Sequence, residues 1–485
     1  MLPIMGRQSV RNFLRFLVPS FITDRLYPDQ KPTYKLHPTS YLDGLRGIAS
    51  VLVFFCHYTE CNWGDLTHFY GVNKENPGSF IQMPYIRLIY SGRPMVHIFF
   101  IISGFVLSFK PIKAIHARDM DKCYAALSSS TFRRAFRLFG PCIVSTFMIM
   151  ILAQMDLVWP GPKESWMDQL ITFKDSSFHG ILWPWDWDRD VMPNYDIHLW
   201  TIPIEFAHSM LLFIVIVGLA RVRLRIRQIT VFGIMIWCLA CGKWAAFEFL
   251  TGLFLAEIVL LKSARRAGWE SPEKGFTSPN GVWKKLKTAM HVAIMVVGLY
   301  IAGWPNHDAD KTPGISWFYR KTPFPFCVID VTYPQKYWFG ISAAFMVWSI
   351  GELPALKKIF ESGLAQYCGR ISYAIYIVHG AVIDIYDGYV VGFAYSPQVG
   401  EPGEEGFRPT VLPSGLKGHF GTTSTQQTVG WFLGLLIIGP LTFWAADVFW
   451  RAVDDPIVKL GRKMEMSCLD DVEELPKSNG YSAPA

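Results

Sequence analysis

Tyr41-Leu-Asp43-Gly-Leu-Arg46-Gly-Ile-Ala-Ser-Val-Leu-Val-Phe-Phe-Cys-His57 is an apolar run that carries three ionisable side chains. Ionisable groups inside a bilayer span are costly and mark function by default, so whether this run crosses a membrane decides both fold and site. The rest of the chain supports the membrane reading. Of 485 residues, 51% are AVILMFWYC and only 18% are charged, against about 25% in an average soluble chain. Apolar runs fall near Leu42–Tyr58, Val96–Phe109, Pro141–Trp159, His198–Ala220, Ile229–Cys241, Trp244–Leu261, Ala289–Gly303, Tyr337–Ile350, Ser372–Val391 and Val429–Trp450. The expected fold is an all-α polytopic membrane protein of about ten transmembrane helices. Several runs are shorter than the ~20 residues a straight span needs. Their ends must extend into flanking polar residues, or those helices sit inside the bundle. Collagen, coiled coil and disordered tail are excluded by composition.

The net charge of +7 admits three meanings: nucleic acid, anionic lipid or membrane orientation. Position along the chain separates them, because cytosolic loops carry the excess of Lys and Arg. With a cytosolic N-terminus and ten spans, 33 of the 46 Lys and Arg lie in cytosolic segments. Both termini are therefore expected in the cytosol, and nucleic-acid binding is not expected.

Met1–Val18 lacks the long apolar core and small-residue cleavage site of a signal peptide. Arg7, Arg11 and Arg15 alternate there with Phe13, Leu14, Phe16 and Leu17 before Pro19. Two readings stay open, a short basic amphipathic segment on the cytosolic leaflet and a disordered tail. Residues 160–197 are rich in Trp183, Trp185, Asp186, Trp187, Asp188 and Asp190, and 392–428 in Gly, Pro, Ser and Thr. The first set suits interface anchors or a wall for a sugar-like or uncharged substrate. Cys238 and Cys241 share a C-x-x-C spacing without other ligands nearby and read as core packing, so no metal is expected. Cys61 and Cys327 fall on the same expected side and are a candidate disulfide.

At ~100° per residue, the 11-residue step from Arg46 to His57 closes within about 20° of three turns and rises about 16 Å. Arg46 and His57 thus share a helix face, the cation at the cytosolic mouth and the imidazole at mid-membrane depth. Asp43 returns within about 40° of the same face but is about 21 Å from His57 along the axis. A triad within this helix is excluded.

Arg-x10-His set in Leu42-Asp-Gly-Leu-Arg-Gly47 resembles the signature of the acyltransferase 3 family of integral membrane acyltransferases. Four further blocks are similar and in family order: Phe99-Phe-Ile-Ile-Ser103-Gly-Phe, Arg133-Arg134-Ala-Phe-Arg137-Leu-Phe-Gly-Pro141, His198-Leu-Trp-Thr-Ile-Pro-Ile-Glu205-Phe, and Ile371-Ser-Tyr-Ala-Ile-Tyr-Ile-Val-His379. The resemblance covers roughly 38–455, which sets the expected domains: a cytosolic segment 1–37, a transmembrane acyltransferase domain 38–455 and a cytosolic tail 456–485. The stretch ending in His37-Pro-Thr-Ser-Tyr-Leu-Asp43 looks like the fungal branch, many of whose members act on small-molecule natural products.

What the resemblance implies is transfer of an acyl group, usually acetyl, from cytosolic acyl-CoA (acetyl-CoA) as co-substrate to a hydroxyl of an acceptor, with no bound cofactor. The location implied is an endomembrane such as the endoplasmic reticulum, with membrane lipid around the helices. Coenzyme A is a polyanion whose head stays at the cytosolic face. Arg134 and Arg137, i and i+3 on one face, suit its phosphates through bidentate hydrogen bonds, and Arg46 lies at the same face. The other reading of these arginines is positive-inside topology. His57 would be the general base that takes the hydroxyl proton. Glu205, an intramembrane carboxylate seven residues after His198, joins it as the acid that orients a histidine or holds structure. Pro203 would bend the helix between them. Ser103, before Gly104 at an expected close helix approach, and His379, after Tyr373 and Tyr376 at helical spacing, are supporting candidates with Asp43 and His198. Lys243 and Glu248 are expected to pair across a hairpin. Rival classes are a proton-coupled transporter using His57, Glu205 and Arg46 as a relay, and an acyl-binding sensor without turnover.

Overall fold

A computed structural model describes residues 7–27, 36–71, 77–185, 192–266, 281–391, 393–394, 410–411 and 415–469. The helices are α1 (Arg7–Leu17), α2 (Ser20–Leu26), α3 (Ser40–Asn62), α4 (Arg93–His116), α5 (Met120–Gln154), α6 (Trp166–Ser176), α7 (Thr201–Leu219), α8 (Leu224–Ala240) and α9 (Trp244–Arg266). They continue as α10 (Gly281–Ala302), α11 (Ile315–Arg320), α12 (Tyr333–Glu352), α13 (Pro354–Phe360), α14 (Gly363–Tyr386), α15 (Leu416–Phe420), α16 (Ser424–Phe449) and α17 (Asp455–Cys468). Among the described residues the strand content is one two-residue antiparallel pair, Phe393–Ala394 against Thr410–Val411.

All ten apolar runs lie mainly on helices. Among the described residues seven helices are long and apolar enough to cross a bilayer, or eight if α12 and α13, which meet at a 100° bend, count as one span. The two runs outside this set have physical reasons. Helix α3 carries Asp43, Arg46, His57 and Glu60 along its length. Helix α8 has 17 residues, a rise of about 25 Å against a hydrocarbon core of about 30 Å.

The glycines of the opening stretch explain how α3 sits. A Cβ on Gly47 would stand 2.2 Å from the Gly369 backbone nitrogen, and one on Gly369 would stand 2.3 Å from the Asp43 carbonyl oxygen. Helices α3 and α14 therefore pack backbone to backbone, as small residues permit in membranes. Gly104 does the same for α4 against α9, where an added Cβ would be 2.2 Å from the Phe249 carbonyl oxygen. The close approach expected beside Ser103 is present. Buried Phe54, Tyr58, Ile375 and Trp431 fill the core between α3, α14 and α16.

The basic N-terminal stretch is helical and docked. Trp444 Nε1 donates to Leu17 O at 2.8 Å, and Arg451 donates to Val18 O at 3.0 Å. The buried Asp447 carboxylate accepts from Ser20 N at 3.1 Å, Ser20 Oγ at 2.5 Å, Tyr367 at 2.9 Å and Arg451 at 2.7 Å. At the other end Arg133 pairs with Glu465 of α17 at 3.0 Å.

Two expectations change. Cys61 and Cys327 are free thiols, so the candidate disulfide is not formed. Pro203 does not bend a helix. His198 lies in a 3-10 turn, Ile197–Trp200, and Pro203 falls in the first turn of α7, where a missing N–H is tolerated. Glu248, expected to pair with Lys243, also meets buried His97, whose Nδ1 is 2.5 Å from Glu248 Oε1. Asp186, Trp187, Asp188 and Asp190 lie outside the described residues; Trp183 and Trp185 are exposed.

Candidate active site

Helices α3, α4 and α14, the middle of α5, the start of α7 and the junction of α16 with α17 enclose a cavity of about 310 Å³. Its walls are apolar, with Val53, Phe99, Phe100, Ile102 and Leu138 among them. Its charges are Arg46, Arg134, Arg137, Arg370, Glu205, Asp454 and Asp455. A π-turn over Trp450–Asp454 brings Trp450 and Asp454 to the same rim.

The arginines differ in availability. Arg134 is buried, its Nη2 2.6 Å from Glu205 Oε1 and its Nε 3.0 Å from Ser209 Oγ. Ser103 Oγ donates to the same Glu205 oxygen at 2.8 Å. Glu205 thus holds α4, α5 and α7 together, and the structure places it on an arginine and a serine instead of a histidine. Arg46 Nη2 lies 3.1 Å from the Gly369 carbonyl oxygen and 3.3 Å from Asp43 Oδ1, which ties the first span to α14. Arg137 is exposed, and among the described residues no carboxylate lies within ion-pair distance of it. Arg370, not singled out from sequence, stacks 5.6 Å over Trp450 with Asp24 at 3.8 Å.

At the inner end of the cavity, Thr201 Oγ1 and Tyr376 Oη are 2.7 Å apart, and Tyr376 donates to the His198 carbonyl oxygen. Beyond them His57, His198 and His379 come together. Ring centroids are 4.2 Å apart for His57–His198, 4.5 Å for His198–His379 and 5.4 Å for His57–His379. His57 lies one helical turn past the cavity-lining Val53.

The carboxylates that meet these rings are Glu60 and Asp196, neither singled out from sequence. Glu60 Oε2 is 3.2 Å from His57 Nδ1, and its Oε1 is held by Arg93 at 2.9 Å and Asn306 at 2.6 Å. Asp196 Oδ1 is 2.9 Å from His198 Nδ1 and 3.0 Å from His198 N. The i, i+3 spacing of His57 and Glu60 was a readable signal. So was Asp two residues before His at a helix start. Tyr373 and Tyr376 were seen only as markers of helical spacing. Among the described residues the three histidines are also the set whose ring nitrogens, within 4.8 Å of one another, stand close enough to share an ion.

A bundle of apolar helices with a basic cleft at one end, and a cluster of imidazoles beyond the lining residue Tyr376, is the frame of a polytopic membrane protein with a buried polar site. The chain belongs to the acyltransferase 3 family, whose model, an acyltransferase domain, matches residues 39–451. Curated relatives include O-acetyltransferase PaAT-1 of Phomopsis amygdali, 30% identical over 93% of this chain and 88% of that protein. Acyltransferase R4 of Phoma sp. is 22% identical over 78% of this chain and 89% of the relative. Acyltransferase clz18 of Cochliobolus lunatus is 24% identical over 73% and 84%. No solved structure matches. The protein is an integral membrane enzyme that transfers acyl groups, which sets aside the transporter and the inert sensor.

Proposed function

We propose that this enzyme moves an acetyl group from acetyl-CoA to a hydroxyl of a small-molecule acceptor, a fungal secondary metabolite, with His57 as general base. It acts in an endomembrane such as the endoplasmic reticulum. The bundle crosses ten times with both termini cytosolic, the acyltransferase domain spanning 38–455 between a segment 1–37 and a tail 456–485. The observation that carries the reading is the nearness of a basic cleft to the cluster of imidazoles. Arg137, Arg46 and Arg370 line the same cavity whose inner end, at Tyr376, is one hydrogen bond from the His198 backbone. A polyanionic coenzyme head suits the rim, and a thin thioester arm suits the apolar walls. Arg134, neutralised by Glu205, shapes this cleft and adds less to anion binding than Arg137. The printed name of the relative from Phomopsis amygdali supports acetyl as the group carried.

In the transfer, the acceptor's O–H proton passes to His57 as its oxygen attacks the thioester carbonyl; the C–S bond then breaks and the thiol of coenzyme A leaves. The test is to incubate membranes carrying the protein with labelled acetyl-CoA and a panel of alcohols and amines, wild type beside His57→Ala. Label should reach an alcohol only with the wild type. Transfer that survives in His57→Ala removes His57 as the base, and labelled amine products without esters remove the hydroxyl acceptor.

A further inference from the structure

One imidazole is enough for a base, yet three meet here, each from a different helix or turn. Their hydrogen bonds fix their tautomers. His57 Nδ1 faces Glu60 Oε2 at 3.2 Å, His198 Nδ1 faces Asp196 Oδ1 at 2.9 Å, and His379 Nδ1 faces the Ile375 carbonyl oxygen at 3.1 Å. Carboxylate and carbonyl oxygens only accept, so each neutral ring carries its hydrogen on Nδ1 and keeps a bare lone pair on Nε2. The His379 side chain is fully buried, and its Nε2 has no hydrogen-bond partner. One ring nitrogen from each histidine lies within 4.8 Å of the other two. A proton gained by one of these rings lies against the electron-rich faces and nitrogens of the other two, in a setting where the low dielectric strengthens electrostatic attraction. Glu60 and Asp196 stand behind two of the rings to balance the new charge, as opposite charges close by do. The remaining charged groups around the rings are Arg93, which holds Glu60, and Asp384 of α14 near His198.

We propose that Asp196, His198 and His379 are positioning residues of the acyl transfer, making with His57 and Glu60 a single proton-accepting unit of three imidazoles. The proposal rests on the reading of His57 as the base. The acceptor's O–H bond breaks and its proton goes to His57 Nε2, and the adjacent rings of His198 and His379, with Glu60 behind His57, stabilise the imidazolium. The acceptor oxygen bonds to the thioester carbon, the C–S bond breaks, and the same proton returns to sulfur. The products are ester and free thiol, and all three rings end as they began. Binding the protonated form better than the resting one is what accelerates a step.

Asp196 allows a clean test because it does two jobs. It caps the turn through His198 N and orients the ring through Nδ1. Asp196→Asn keeps a side-chain oxygen for both bonds and removes only the charge. His198→Gln leaves the cap and removes the ring. Both full-length variants, purified in detergent beside wild type, are assayed with acetyl-CoA and the alcohol that wild type acetylates. The expected result is a kcat lowered about 10- to 100-fold, a part of the ~10²–10⁴ that proton transfer supplies. The KM for acetyl-CoA stays within about twofold, the split expected when only transition-state contacts are lost, and the thermal midpoint stays at the wild-type value. Wild-type kcat in both variants overturns the proposal while leaving His57 as a base that works alone. One equivalent of a divalent transition metal in purified wild type, lost in His198→Gln, also overturns it, since the ring nitrogens would then be ligands. Activity in His57→Ala is a different failure, that of the base itself.

Discussion

Glu205→Gln separates an architectural carboxylate from a catalytic one. In the folded protein Glu205 Oε1 accepts from Arg134 at 2.6 Å and Ser103 at 2.8 Å, and Arg134 is 8% exposed. Glutamine keeps an oxygen for these donors and removes the negative charge, which leaves a buried guanidinium beside the further cations Arg46 and Arg137 that line the same cavity. Breaking one side of a buried ion pair costs about 3–5 kcal/mol, because the remaining charge is uncompensated. With an unfolding entropy of about 2.1 cal/mol/K per residue, that loss lowers the midpoint of a chain this size by about 3–5 °C. Replacing both partners, Arg134→Met with Glu205→Leu, recovers much of it, since an apolar pair of similar volume is often neutral. The assay is thermal unfolding of the detergent-purified protein for both singles and the double. A Glu205→Gln midpoint within 1 °C of wild type (below about 1 kcal/mol by the same scaling), with a double that is the sum of its singles, refutes the reasoning. So does a kcat loss at an unchanged midpoint, which would return Glu205 to the chemistry.

Two further outcomes follow from the proposed function. Arg137→Ala raises the KM for acetyl-CoA about tenfold with kcat little changed, because a charge-assisted hydrogen bond to an anion is worth roughly 1.5–3 kcal/mol and this side chain is exposed; the effect shrinks as salt is raised. An unchanged KM assigns Arg137 to topology. Cys327 and Cys468 are exposed free thiols that ten spans place on opposite faces. In sealed microsomes a membrane-impermeant maleimide therefore labels Cys468 at once and Cys327 only after permeabilisation, read on single-cysteine variants by mass shift; simultaneous labelling excludes the ten-span arrangement.

Much of the site is legible before folding because it lies on the helix period. Arg46 and His57 share a face by arithmetic alone, and Gly104 beside Ser103 announces a close helix contact. Other parts are not legible in this way, since they depend on which helices become neighbours. Glu205 and His198 are seven residues apart on what reads as one helix. A 3-10 turn precedes Thr201, so the two side chains go to different partners: Glu205 to Arg134 of α5, His198 to Asp196 in its own turn. Arg370 and Trp450, 80 residues apart, meet only because α14 and α16 pack together.

The sequence by itself determined the class of fold, the family, and which side chains of the first span share a face, because hydrophobic runs and the Arg-x10-His spacing are properties of a chain read in one dimension. Tertiary structure decided which carboxylate serves which cation, and that three histidines from α3, the turn before α7, and α14 stand together. The reason is geometric: a ring on one helix finds its partners across a contact whose register is set by Gly47 against Gly369, and no periodicity within a single segment encodes that register.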